Sequence, residues 1–292
     1  MEEEMGIQIT SRGVKYLVDP NKIISGGPPK DGIPSIDNPK YVTLQEADQW
    51  IEDNELVLGI IYKNVTRVYP LQIMVWHEIV NDHIAGDPIL ITYCPLCGSG
   101  IAYERTLDGK EVEFGTSGKL YNSNLVMYDR KTNSYVSQID GLAIVGELTG
   151  TELVPISIDT VVWREWKAAH PDSEVLSQDT GFMRAYGKDP YGNYYENSFV
   201  LFPVENEDER VHPKTVVFGI EVNRVYKAYK EDDLILNKVI EDTVNEVRIK
   251  VERDEAGIVM ITNLDTGDEI VKEQDFWFAW YAFHPETELY SG

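Results

Sequence analysis

Two stretches of this chain repeat each other, and a repeat limits the possible fold more than any single motif does. The run from Gly59-Ile60 through Tyr69 to Val80-Asn-Asp82 returns as Gly219-Ile220 through Tyr229 to Ile240-Glu-Asp242 at a constant offset. Trp163-x-x-Trp166-x-x-x-His170-Pro-Asp-Ser-Glu174 returns as Trp277-x-x-Trp280-x-x-x-His284-Pro-Glu-Thr-Glu288. The spacing between the blocks is shorter the second time, so the second stretch lacks much of what lies between Gly115 and Ile158. A residue that recurs is one the architecture uses twice, and His170 and His284 therefore read as helix-end residues before a turn. His77 falls against Asn237, and Cys94 and Cys97 fall against Glu252 and Glu255 once a two-residue gap is allowed near Gly86. The chemistry is accordingly expected in the first stretch only, within residues 70–140.

Local patterns predict the elements. Leu71, Met74, Val75 and Ile79 have helical spacing and predict a short helix over Leu71 to Val80, broken by Asn81 to Asp87 with its Gly86. Pro88 to Tyr93 is a nearly continuous apolar run, the pattern of a strand buried on both faces, and a further strand is predicted over Gly100 to Arg105. Val57 to Tyr62 and Thr66 to Tyr69 read as a hairpin around Lys63-Asn64. Thr43 with Glu46 forms a capping-box signature for a helix reaching about Glu52. A helix is expected over about Trp163 to Ala169, and Asp179 to Asn197 reads as a long surface loop. Short strands separated by turns dominate, without βαβ alternation. The predicted fold class is α+β, rich in mainly antiparallel sheets with a few short helices, in two unequal repeat-related halves. The expected division is an N-terminal segment, 1–40, with a shaped Gly/Pro loop; a first half, 41–216, carrying the site; and a shortened second half, 217–292, packed on it.

Both cysteines lie in Thr92-Tyr-Cys94-Pro-Leu-Cys97-Gly98, a tight turn between two predicted strands. Cys-Pro-x-Cys-Gly is the shape of a metal knuckle, in which two sulfurs share one concavity and the Gly lets backbone N–H groups face them. A redox Cys-x-x-Cys of the thioredoxin type sits where a strand enters a helix, and Gly98-Ser-Gly100 is a poor helix start. The first expectation is thus one transition metal ion, copper or zinc, held by Cys94, Cys97 and His77, since thiolates suit Cu(I) and Zn(II) alike. Glu78 and Asp82 are the candidates to orient His77. The alternatives are a thiol–disulfide oxidoreductase using the same cysteines, and a non-catalytic module binding a small polar ligand or another protein. Two inert thiols, or a disulfide across the turn, are the plain structural readings. Asp31, presented with Lys30 by the rigid loop Ser25-Gly-Gly-Pro-Pro-Lys-Asp-Gly-Ile-Pro34, and Ser117, Tyr121, Asn122 and Asn124 of a hydroxyl- and amide-rich run, are the ligand-binding candidates.

Composition removes several classes. A formal charge of -24 over 292 residues repels nucleic-acid phosphates. No apolar run reaches about 18 residues, so no membrane span is expected. The start, Met1-Glu-Glu-Glu-Met5, has neither a basic nor an apolar leader region, so the sequence as given reads as cytoplasmic.

Four motifs together carry a resemblance: the Ser25–Pro34 loop, Trp76-His-Glu-Ile-Val-Asn-Asp82, Thr92–Gly98, and Phe114-Gly-Thr-Ser-Gly-Lys-Leu-Tyr-Asn-Ser-Asn124. From about Ile24 to His284 the chain resembles the bacterial and archaeal family catalogued as domain of unknown function 3179. The resemblance implies no activity. It implies secreted or lipid-anchored relatives, and an aromatic residue, usually Trp, where this chain has Val136.

Overall fold

The computed structural model describes residues 5–107 and 109–292. Residues 1–4, part of the start read above for a leader, lie outside the described residues. The fold is β-rich, its sheets mostly antiparallel and its helices few and short. No helix among the described residues is long and apolar enough to cross a membrane.

The Thr43–Glu46 capping box forms as expected and starts the helix Leu44–Ala47. The helix Leu71–His77 ends two residues short of Ile79, because Glu78 takes a left-handed conformation at φ 60°. Ile79 and Val80, apolar at helical spacing, instead open the strand Ile79–Ile84, where both are buried. That strand pairs with Asp87–Cys94, which pairs with Ser99–Glu104. The middle strand is buried on both faces: Leu90 packs into one core cluster, Ile89 and Ile91 into another. A separate seven-stranded sheet carries Phe114–Tyr121 and Asn124–Asp129 side by side, with Ile24–Ser25 at its edge. The Gly/Pro loop after that edge is docked: Gly26 N–H donates to Gly118 O and Asp31 N–H to Thr116 O, both at 2.9 Å.

The two similar stretches carry the same pairings in the same register. Gly59 faces Val68 across one hairpin and Gly219 faces Ala228 across the other. Asp159 pairs with Gly59, and Glu273 with Gly219. The return strands run parallel, Glu174 opposite Arg67 and Glu288 opposite Lys227. The physical demand behind the recurring motif is close approach. A Cβ on Gly59 would lie 2.3 Å from Trp166 Cζ3, and one on Gly219 would lie 2.3 Å from Trp280 Cζ3. Each indole N–H donates to a hydroxyl seven residues on, Ser173 or Thr287, at 2.9 Å. His170 and His284 lie against those same indoles, with ring centroids 4.4 and 4.2 Å away.

One correspondence read from sequence is corrected. Ile79 faces Thr92 and Val239 faces Glu252, so the hairpins match without a gap near Gly86. Cys94 therefore falls against Asp254, not Glu252. The second stretch also reaches the thiol turn directly: Phe276 abuts Gly98, where a Cβ would meet its ring at 2.7 Å. Phe276, Phe278 and Ala279 share one core cluster with Cys94, Leu96 and Cys97.

Candidate functional site

The thiol turn begins where the strand Asp87–Cys94 ends. Pro95–Cys97 makes one 3-10 turn, and Gly98 at φ 60° sends the chain into the strand Ser99–Glu104. The turn therefore joins paired strands, as expected, and no α-helix starts at it. Pro95 presets the first turn residue, and Gly98 supplies the left-handed conformation at no steric cost. Both thiols are free and buried, and their sulfurs converge to 3.2 Å.

The two sulfurs are not equivalent. Burial opposes ionisation of Cys94, but the Cys97 thiol and the backbone N–H groups of Leu125, Cys97 and Leu96 outweigh it and hold Cys94 below the ordinary thiol range. Burial and the neighbouring Cys94 push Cys97 well up. Cys97 Sγ faces Ser123 O at 3.5 Å and receives Asn124 Nδ2–H at 3.5 Å. Asn124 is itself held, its Nδ2 donating to Gln138 Oε1 at 2.7 Å and its Oδ1 accepting from Ile139 N–H at 3.1 Å. Of the pair, Cys94 is thus the sulfur that gives up its proton the more readily.

Of the candidates read from sequence, the structure gathers Cys94, Cys97, Asn124 and Glu78. Glu78 O accepts from Tyr93 N–H at 2.8 Å, one residue before Cys94. Burial pushes the Glu78 carboxyl well above its usual range, and the charge of Cys94 adds to this. Glu78, Leu96, Leu125 and Tyr191 line a cavity of about 150 Å³, with the docked Gly/Pro loop forming its far wall.

His77 does not join them. Its Nδ1–H donates to Pro34 O at 2.7 Å, and its Nε2 accepts from Tyr186 OH at 2.6 Å, so both nitrogens are engaged. Burial pushes its pKa down to about 4, so the ring is neutral. The helical face that carries His77 points toward the loop 179–197, while the sulfurs point toward Ser123. Among the described residues, no group of three or more His, Cys, Asp and Glu side chains is placed to hold a metal ion. Asp82 does not orient His77 either. It accepts from Arg67 Nη1 at 3.0 Å and from the hydroxyls of Tyr69 and Tyr41, a buried charge node that Asp242 repeats with Lys227 and Tyr229.

The remaining candidates are held elsewhere. Asp31 accepts from Tyr128 OH at 2.6 Å. Ser117 Oγ donates to Val126 O within the irregular strand pairing at Thr116/Lys119. Tyr121 OH donates to Glu205 at 2.8 Å, and Asn122 Oδ1 accepts from Glu205 N–H at 2.9 Å.

Sequence reading missed the closing wall. The stretch 179–197 is not a free surface loop, because Tyr194 is buried and its hydroxyl donates to Leu96 O at 2.9 Å inside the thiol turn. Lys214 Nζ lies 3.6 Å over the Tyr194 ring and donates to the carbonyls of Asn197 and Phe199. The signal was present as tyrosines crowded between Tyr186 and Tyr195, a composition too rich in rings for a solvated loop.

The sequence matches the family described as "Protein of unknown function (DUF3179)" over residues 30–287. No curated protein and no solved structure matches the chain.

Proposed function

The chain belongs to the DUF3179 family, whose function is unknown, so no activity comes with membership, and we propose from the site that Cys94 and Cys97 form a thiol–disulfide redox couple acting on a small disulfide. The observation that carries this reading is the 3.2 Å separation of two free sulfurs, of which only Cys94 is held below the ordinary thiol range. A thiolate is the attacking species in exchange, and its neighbour must be close enough to resolve the mixed disulfide. Cys94 attacks one sulfur of R–S–S–R and expels the first thiolate. Cys97 loses its proton, attacks Cys94 Sγ and expels the second. The two cysteines are oxidised to one disulfide and the substrate is reduced to two R–SH. Glu78, whose protonated form is favoured by burial, gives a proton to the first leaving thiolate and regains the one that Cys97 releases, and the second leaving thiolate takes its proton from water, replacing the one that Cys94 lost on ionising. The buried sulfurs and the small cavity favour a low-molecular-weight disulfide over a protein one.

A second reading keeps the metal expectation with a smaller ligand set. Two converging soft thiols, one accepting N–H bonds from its own turn, suit Cu(I) without His77. A closed zinc site needs about four protein ligands, which these side chains do not assemble. The test is an anaerobic redox titration with a free-thiol count, followed by Cu(I) competition against a chelator. A two-electron couple lost in Cys94→Ser supports the first reading. Stoichiometric Cu(I) uptake that needs both cysteines, without a reversible disulfide, replaces it with the second. Neither result leaves the non-catalytic binding module.

A further inference from the structure

A larger cavity, about 470 Å³, lies on the other side of the thiol turn, where Tyr93 and Gly98 form part of its wall. It sits between the two similar stretches. Leu56 and Val216, Leu71 and Glu231, and Thr160 and Gln274 all line it; the first and last pairs occupy matching positions in the two strand registers, and Leu71 and Glu231 each open the helix that follows its hairpin. The pairing is not symmetric in chemistry, since an acid in the second stretch stands where the first has leucine.

The lining has one sign of charge. Glu55, Asp189 and Glu231 are present, and among the described residues no Lys, Arg or His lines the cavity. Glu55 is answered by Gln72 Nε2 at 2.7 Å, a neutral donor. Burial pushes the Glu231 carboxyl up, against the pull of Arg253, and a cation beside it would pull it back down. Two buried hydroxyl oxygens of the lining, Thr160 Oγ1 and Tyr195 OH, have no partner at hydrogen-bond distance among the described residues. Buried polar atoms are ordinarily satisfied, and an orphan at a cavity wall marks a place where a ligand can supply the missing bond. The remaining walls, Leu56, Leu71, Val216 and Phe276, are apolar. A cavity of this size with apolar walls and a few converging polar groups has the form of a small-molecule site.

We propose that this cavity binds a small organic cation, an apolar body bearing a protonated amine. The amine pairs with Glu231 and Asp189, its remaining N–H bonds reach Thr160 Oγ1 or Tyr195 OH, and the apolar body lies against Leu56, Val216 and Phe276. The reading does not depend on the thiol chemistry, because the sulfurs face Ser123 and Leu125 and this cavity faces Tyr93 and Gly98.

Three probes of matched shape test it by titration calorimetry on the full chain: phenethylamine, 2-phenylethanol and 3-phenylpropionate. Phenethylamine is expected to bind at one site, the alcohol about tenfold or more weakly, and the carboxylate not at all. Asp189→Asn, at an exposed position where the amide keeps an oxygen for Tyr191 N–H, and Glu231→Leu, which installs the residue found at the matching position 71, are each expected to weaken the amine by about tenfold. Equal binding of amine and alcohol, no saturable amine binding, or unchanged amine affinity in both variants overturns the proposal.

Discussion

The turn at Cys94 and the turn at Asp254 occupy the same place in two matching hairpins, and they solve one backbone problem with different atoms. In the second turn, the Asp254 carboxylate accepts from Ala256 N–H and Ile258 N–H, both at 2.9 Å. In the first, the Cys94 sulfur takes the N–H groups of Leu96 and Cys97. Both chains then turn through a glycine at positive φ, 60° at Gly98 and 85° at Gly257. A turn that collects N–H groups on an acidic side chain is thus common to both stretches. An exposed carboxylate does this at little cost, since water also solvates it. A buried sulfur with a second sulfur beside it has no counterpart in the second turn, and the comparison isolates that second thiol as the part the architecture does not require.

The largest expected effect separates the two charge nodes. Arg67 is buried, forks onto Asp82 and Glu174, and packs 4.0 Å over the Tyr41 ring. Lys227 makes the matching contacts to Asp242 at 2.7 Å and Glu288 at 3.6 Å, with Asp242 18% exposed against 3% for Asp82. Arg67→Met strands a buried carboxylate and is expected to cost about 3–5 kcal/mol in denaturant unfolding. Lys227→Met should cost less, about 1–2 kcal/mol, because the Asp242 carboxylate it leaves behind keeps more access to water than Asp82 does. Equal losses would mean that the two nodes are equivalent and that burial does not distinguish them.

A smaller effect concerns Asp275, which stands in the register position of Val161. It is fully buried, and among the described residues neither carboxyl oxygen has a partner at hydrogen-bond distance. Burial, with Glu273 adding, pushes its pKa well up. Asp275→Val should stabilise the protein by about 1–3 kcal/mol at neutral pH, the usual cost of an unsatisfied buried polar group. The sign with pH follows from proton binding. A carboxyl whose folded pKa exceeds its unfolded value contributes stability below about pH 4 that is lost as pH rises through the folded value. Glu78, Glu273 and Asp275 are all raised. The melting temperature should therefore fall from mildly acid to alkaline pH, and less steeply in Asp275→Val. A flat wild-type profile would contradict this.

The smallest effect sharpens the comparison of turns. Asp254→Ala removes two hydrogen bonds at an accessible site and should cost about 1 kcal/mol, with the thiol titration unchanged. A shift in that titration would show that the two turns communicate through the core.

Much of the fold was legible because it is local or periodic. The apolar run through Ile89 and Leu90 announces a two-faced strand, and Thr43 with Glu46 announces a cap. The Gly59–Trp166 contact was encoded as a recurring glycine and a recurring tryptophan, although only packing explains why the two go together. The helix end at Glu78 was not legible. Ile79 and Val80 continue a helical spacing, and strand pairing overrode it.

Half of the candidate site was written in one short run of sequence, since Cys94 and Cys97 are brought together by Pro95 and Gly98 without help from distant residues. Sequence also determined that the turn exists in a β-hairpin and that the matching turn lacks thiols. Tertiary structure decided what surrounds it. His77 is seventeen residues from Cys94 in sequence, but a left-handed residue at Glu78 and a tyrosine-rich loop turn its nitrogens to Pro34 and Tyr186. Asn124, Glu78, Tyr194 and Phe276 come from four separate parts of the chain. Their meeting is set by how the sheets pack, because side-chain direction within an element follows local spacing, whereas contact between elements depends on the whole core.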